Sequence, residues 1–248
     1  MITLTEFEGG DIIKTQFGRI ILRRLKMLDY KVLQKTIFDF SYGAALSDAT
    51  GQKAFEGNKK PLRNNEGAKE IARKYIDEII AGENPDFYET TKELEESFNK
   101  YIKDNKSNIE YTKKNGEKSE PVFRFGNSQK LINMLAKNMF ILVYQNKDLR
   151  DSFSQCHCPM DNEMIKNVKK ELKKSNDAEA EELLKKYRKS ENVAWSRIER
   201  SDTDQYKNFQ ECVQYLAKKE GLSPIEYDYW MWKKDSLSDE NNTDSADD

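Results

Sequence analysis

Lys130 and Asp161 are the residues of this chain whose types and settings could do chemistry together. Lys130 lies in "FGNSQKLINMLAKNMFILVYQ", residues 125–145, the most apolar stretch of a very polar chain. Gly126-Asn127-Ser128 reads as a helix start, which predicts the lysine in the opening turn. There it meets the positive end of the helix dipole, and Phe125, Leu131 and Met134 offer partial burial. Both effects favour the neutral amine, the nucleophilic form. Asp161 lies in "CHCPMDNEMI", where Pro159 leads into a second helix. A carboxylate at that position accepts backbone N–H bonds, which stabilise its anion. The amine and the carboxylate lie 31 residues apart, each at a helix mouth. Each also has a plain structural reading: a lysine that snorkels to water or meets a phosphate, and an aspartate that only caps.

The same region holds Cys156, His157 and Cys158; with Cys212 these are the chain's 3 cysteines and its 1 histidine. Four such ligands could hold zinc, but adjacent ligands differ from the spaced C-x2-C knuckle, so no metal and no cofactor are expected. A single histidine leaves no material for a serine or cysteine triad. No phosphate-binding glycine loop, EF-hand or zincin motif is present.

Apolar periodicity predicts the elements that must position the pair. Helical spacing runs over residues 17–40, over 67–81 with Gly82 as a stop, and from Phe87 to Ile102. The Lys130 helix and the Asp161 helix follow, the latter ending near Lys174. Asn176 or Asp177 caps another through Tyr187. Tyr206 to Ala217 forms the next, and Ser223-Pro224-Ile225-Glu226 is a capping box that launches Tyr227, Tyr229, Trp230 and Trp232. Residues 43–66 read as a long connection. Asn115-Gly116 marks the one candidate β-hairpin, near residues 109–124. The fold class is therefore mainly α, with a helical lobe over 1–106, a second lobe over 107–234 carrying the Lys130/Asp161 cleft, and a tail over 235–248.

Composition narrows the partners. Charged residues make up 35% of the chain and hydrophobic residues 37%, so the core must concentrate in a few segments. The net charge of −2 conceals an asymmetry: the tail holds six acids and no base, which leaves a mildly basic body. Such a tail reads as disordered, and such a body permits a polyanionic partner. The start "MITLTEFEGGD" lacks a basic region followed by an apolar core, and no run approaches the ~20 apolar residues of a membrane helix. A cytoplasmic, reducing location away from the membrane is expected.

"GNSQKLINMLAKNMF" and "CPMDNEMIKNV" together resemble the helix-hairpin-helix DNA glycosylase superfamily, whose members carry a hairpin-Gly-x-Lys helix followed by a Pro-Val-Asp helix. The likeness is greatest to the archaeal 8-oxoguanine glycosylase branch, in which the lysine helix is apolar and the gap to the aspartate long. It covers residues 122–168. It departs at the hairpin, which has one glycine, Gly126, where the usual loop has two, and three cysteines cannot supply the four-cysteine iron–sulfur signature. The resemblance implies a two-lobed helical fold that excises a damaged or modified base from double-stranded DNA, with or without strand cleavage. Lys130 would be the Schiff-base nucleophile and Asp161 its activator or the stabiliser of the oxocarbenium-like charge, while backbone at Phe125, Gly126 and Asn127 would grip a phosphate. Beside these, Arg124, Arg197 and Arg200 are candidate phosphate contacts. Trp195, Trp230 and His157 are candidates for a base pocket, where a flipped base stacks on aromatic faces. Two other readings remain: an α-helical interaction module of the kind used in stress or phage defence, and a DNA sensor without catalysis.

Overall fold

The structure, a computed structural model, describes residues 35–51, 53–113 and 115–243, with side chains to Lys234. The helical spacing over 17–34 and the last five residues lie outside these. The chain divides between Phe40 and Ser41, and the candidate site lies wholly in the unit from Ser41 onward.

The described residues are mainly helical and contain no β-strand. Residues 35–50 form α1, followed by α2 (Glu66–Ile80), α3 (Phe87–Asp104), α4 (Lys106–Ile109) and α5 (Phe125–Val143). Then come α6 (Lys147–Ser152), α7 (Asn162–Ser175), α8 (Ala178–Ser190), α9 (Asp204–Lys219) and α10 (Pro224–Thr243). The expected hairpin is a turn with a single antiparallel bridge, Thr112 to Lys118, around Gly116 at φ 85°. Its polar flanks offer no face to bury, and so no ladder grows.

Local chemistry explains the helix ends. At the end of α2, Gly82 takes φ 81°, its N–H donates to the Ile79 carbonyl, and the Glu83 N–H donates to Glu78. This six-to-one and five-to-two pair closes the helix in the way a left-handed glycine permits. Asp86 then caps α3, accepting from the Tyr88 and Glu89 N–H groups at 2.9 and 3.0 Å. Ser223 and Glu226 form the expected reciprocal box at α10, where the Ser223 N–H donates to Glu226 at 2.9 Å. Once launched, α10 continues to Thr243, so the first part of the acidic tail is helical where composition alone predicts disorder. Extending an existing helix by a residue is far less costly than nucleating one.

Helix α5 is the centre of the unit. Every residue from Phe125 to Asn133 is buried, and burial continues on most faces as far as Phe140, which is why its sequence is so apolar. It packs on α3, on α6 and on the 3-10 turn Trp195–Arg197. Helices α3 and α5, on either side of residues 106/107, pack directly on each other. Helices α7, α8 and α9 pack on one another, and α10 lies against α7 and α9.

Candidate active site: the Lys130–Asp161 cleft

The N-terminus of α5 sets where Lys130 sits. The helix begins at Phe125, and the Asn127 side chain reaches back to accept the Arg124 N–H at 3.0 Å. The Asn127 amide also donates to the Ala49 and Ala54 carbonyls at 2.8 and 3.1 Å, tying the helix start to the end of α1 and the loop behind it. Lys130 is therefore the sixth residue of α5, in its second turn rather than its first. The dipole effect is concentrated in the first turn, so the setting of this amine depends on its contacts.

The main contact is Asp161. The Lys130 ammonium meets Asp161 Oδ2 directly, and Lys130 is only 5% exposed. Asp161 caps α7 at the same time, because its Oδ1 accepts the Met164 N–H at 2.8 Å. One carboxylate oxygen thus meets the lysine and the other caps the helix. A second pair lies two turns along the same face of α5: Lys137 meets Asp228 of α10, which is 2% exposed. Burial pushes the Asp228 carboxyl above the usual range, against the pull of Lys137. The Lys137 ammonium also stands 4.7 Å from the Tyr229 ring and 5.3 Å from that of Trp232. Both pairs face a cleft of about 430 Å³, flanked by Trp195 and Trp232. Asp48 and Glu163 also line it, so the cleft holds more acids than bases.

Other expected site residues lie elsewhere. Phe125, Gly126 and Asn127 are fully buried and so cannot reach a phosphate. Gly126 serves close packing instead: its N–H donates to the Ile198 carbonyl at 3.1 Å, and a Cβ there would collide with the Trp195 carbonyl oxygen. All three arginines are engaged within the chain. Arg124 donates to Glu199 at 2.8 Å, Arg197 to Glu56 at 3.2 Å, and Arg200 takes Glu95 at 2.9 and 3.1 Å with the Tyr88 carbonyl at 3.2 Å. Arg197, at 64% side-chain exposure, is the one whose pair is weak enough to exchange. Trp230 lines a different pocket, with Phe140 and Leu222, so Trp232 rather than Trp230 belongs to the cleft.

His157 also lies outside the cleft, in a pocket with Tyr75, Phe87 and Tyr88. Asn133 donates to the Tyr206 hydroxyl, whose own O–H then points at His157 Nδ1, 2.9 Å away, an acceptor when the imidazole is neutral with its proton on Nε2. Burial pushes its pKa down to about 4. The unfolded chain, at about 6.5, then binds one proton more between those values, and stability falls as pH drops through that window, by about 3 kcal/mol in all. Urea unfolding at pH 7.5 and pH 4 should show this loss in the wild type and a correspondingly smaller one in His157→Gln; equal losses would contradict the assignment. Cys156, Cys158 and Cys212 are buried free thiols, and among the described residues no three His, Cys, Asp or Glu side chains gather to hold a metal ion.

No protein-family model, curated protein or solved structure matches this chain. The function of the site must therefore be sought in its own geometry.

Proposed function

We propose that this protein is a DNA glycosylase in which Lys130 attacks the sugar carbon bearing a damaged or modified base. The observation that carries the reading is the direct contact of a buried amine with a carboxylate that is itself fixed as a helix cap, at the wall of an open cleft. Asp161 accepts a proton from the Lys130 ammonium, and the neutral amine forms a bond to C1′. The bond from C1′ to the base breaks, its electron pair leaves with the base, and the base takes the proton held by Asp161. The Asp161 carboxylate so restored stabilises the positive charge that builds on the sugar. Ring opening then gives an imine between Lys130 and the sugar, from which a strand-cleaving elimination can follow.

The cleft suits an extruded base. Trp195 and Trp232 supply aromatic faces, while Lys137 and Asp228 place a donor and an acceptor together along the same wall. The resemblance to the helix-hairpin-helix glycosylases assigns the same roles to Lys130 and Asp161. The test is reduction with borohydride in the presence of duplexes bearing abasic sites or altered bases. A covalent protein–DNA complex is expected, and its absence across such substrates would remove the proposal.

One observation favours a second reading, a non-catalytic helical interaction module. The acid excess of the cleft and the intramolecular pairing of Arg124, Arg197 and Arg200 leave little positive potential for a duplex there, while Ile141, Leu142 and Tyr144 form an exposed apolar run at the C-terminal end of α5. A protein with no affinity for duplex or single strands at low salt would favour that reading, since phosphate contacts dominate binding there.

A further inference from the structure

The segment Cys156–Asp161 has no regular structure, yet it is buried along most of its length. Its backbone polar groups must find partners. Two glutamine amides supply them. Gln129 of α5 donates to the Met160 carbonyl at 3.1 Å and accepts the Met160 N–H at 3.3 Å. Gln210 of α9 does the same for Cys158, donating at 2.7 Å and accepting at 3.1 Å. Between them Pro159 has no N–H to satisfy. Asn133, one turn beyond Gln129, donates to the Gln129 amide oxygen at 3.2 Å, which fixes the orientation of that amide.

We propose that Gln129 is a positioning residue for Asp161. It stands next to Lys130 on a rigid helix and clamps the residue next to Asp161 on the loop. Amine and carboxylate are thereby registered through two peptide groups and one amide, without reliance on the loop's own stiffness. The catalytic half of this inference rests on the proposed function, where displacing the carboxylate by an ångström would weaken the reaction about a hundredfold. The geometric half stands without it. Gln129 and Asn133 are fully buried and both face the loop, so Gln129-Lys130 reads as one unit: a clamp for the acid beside the amine.

The test uses the full chain and compares two buried lysines. Lys130 and Lys137 are both held by carboxylates, but only the Lys130 partner hangs on the clamped loop. Pulse acetylation followed by peptide mass spectrometry should show Lys130 reacting about tenfold faster in Gln129→Met, through local opening, while Lys137 keeps its wild-type rate. If Gln129→Met does not fold, Gln129→Glu carries the same expectation, because it loses the donor to the Met160 carbonyl. An unchanged Lys130 rate would overturn the proposal, and so would a parallel rise at both lysines, which would mark general loosening. The labelling result does not depend on activity. With a DNA substrate in hand, the same variant should lower kcat and leave KM near its wild-type value; loss of the labelling effect condemns the clamp, whereas absence of any turnover in the wild type condemns the enzyme.

Discussion

Asp161→Asn is expected to lower turnover by about 10²- to 10⁴-fold, the range for a positioned acid–base group, while DNA affinity changes little. The reason lies in the division of labour between the carboxylate oxygens. Asparagine keeps an oxygen for the Met164 N–H, and it caps helices about as well as aspartate. Its other end becomes an amide donor facing the Lys130 ammonium, a donor against a donor. The proton has nowhere to go, and developing charge at the sugar loses its counter-ion. Loss of a charged hydrogen bond costs about 1–3 kcal/mol of stability, so the variant should remain folded. Single-turnover kinetics separates the cases, because an interaction made mainly in the transition state lowers kcat and kcat/KM together. Unchanged turnover, whatever the melting temperature, would leave Asp161 a purely structural role.

The second large effect is on stability. Asp228→Ala should cost about 3–5 kcal/mol, because it strands the Lys137 ammonium in a site where both partners are nearly sealed from water. The double variant Lys137→Met/Asp228→Leu should recover most of that loss, since apolar replacement of a buried pair is often neutral or better. Urea unfolding of the wild type and both variants at neutral pH measures the two effects. A loss below about 1 kcal/mol for Asp228→Ala would mean that Lys137 holds its charge through the Tyr229 and Trp232 rings and water in the cleft.

Local patterns in the sequence carry much of this architecture. The stop at Gly82, the cap at Asp161 and the box at Ser223 are short-range chemistry, and each lies where its residue types predict. The start of α5 is harder to read, because Asn127 acts as a reverse cap from inside the helix while Gly-Asn-Ser normally marks the outside. Asp228 is not legible, and Trp232 cannot be told from Trp230, because polar and apolar residues alternate around α10 without a clear stripe, so its phase cannot be chosen. Nothing local to Arg200 or Arg197 names the acids that neutralise them, as Glu95 and Glu56 lie more than a hundred residues earlier. The clamps are invisible for the same reason: Gln129 and Gln210 read as ordinary polar positions until the fold brings the loop between them.

The most direct measurement is the site of covalent attachment. Borohydride reduction on a duplex carrying an abasic site or an altered base, followed by proteolysis and mass spectrometry, locates the lysine that bears the sugar remnant. The account predicts the remnant on Lys130, in the peptide that begins at Phe125, and no adduct from Lys130→Gln. An adduct on Lys137, on the chain terminus or on a surface lysine, or one that persists in Lys130→Gln, would contradict it.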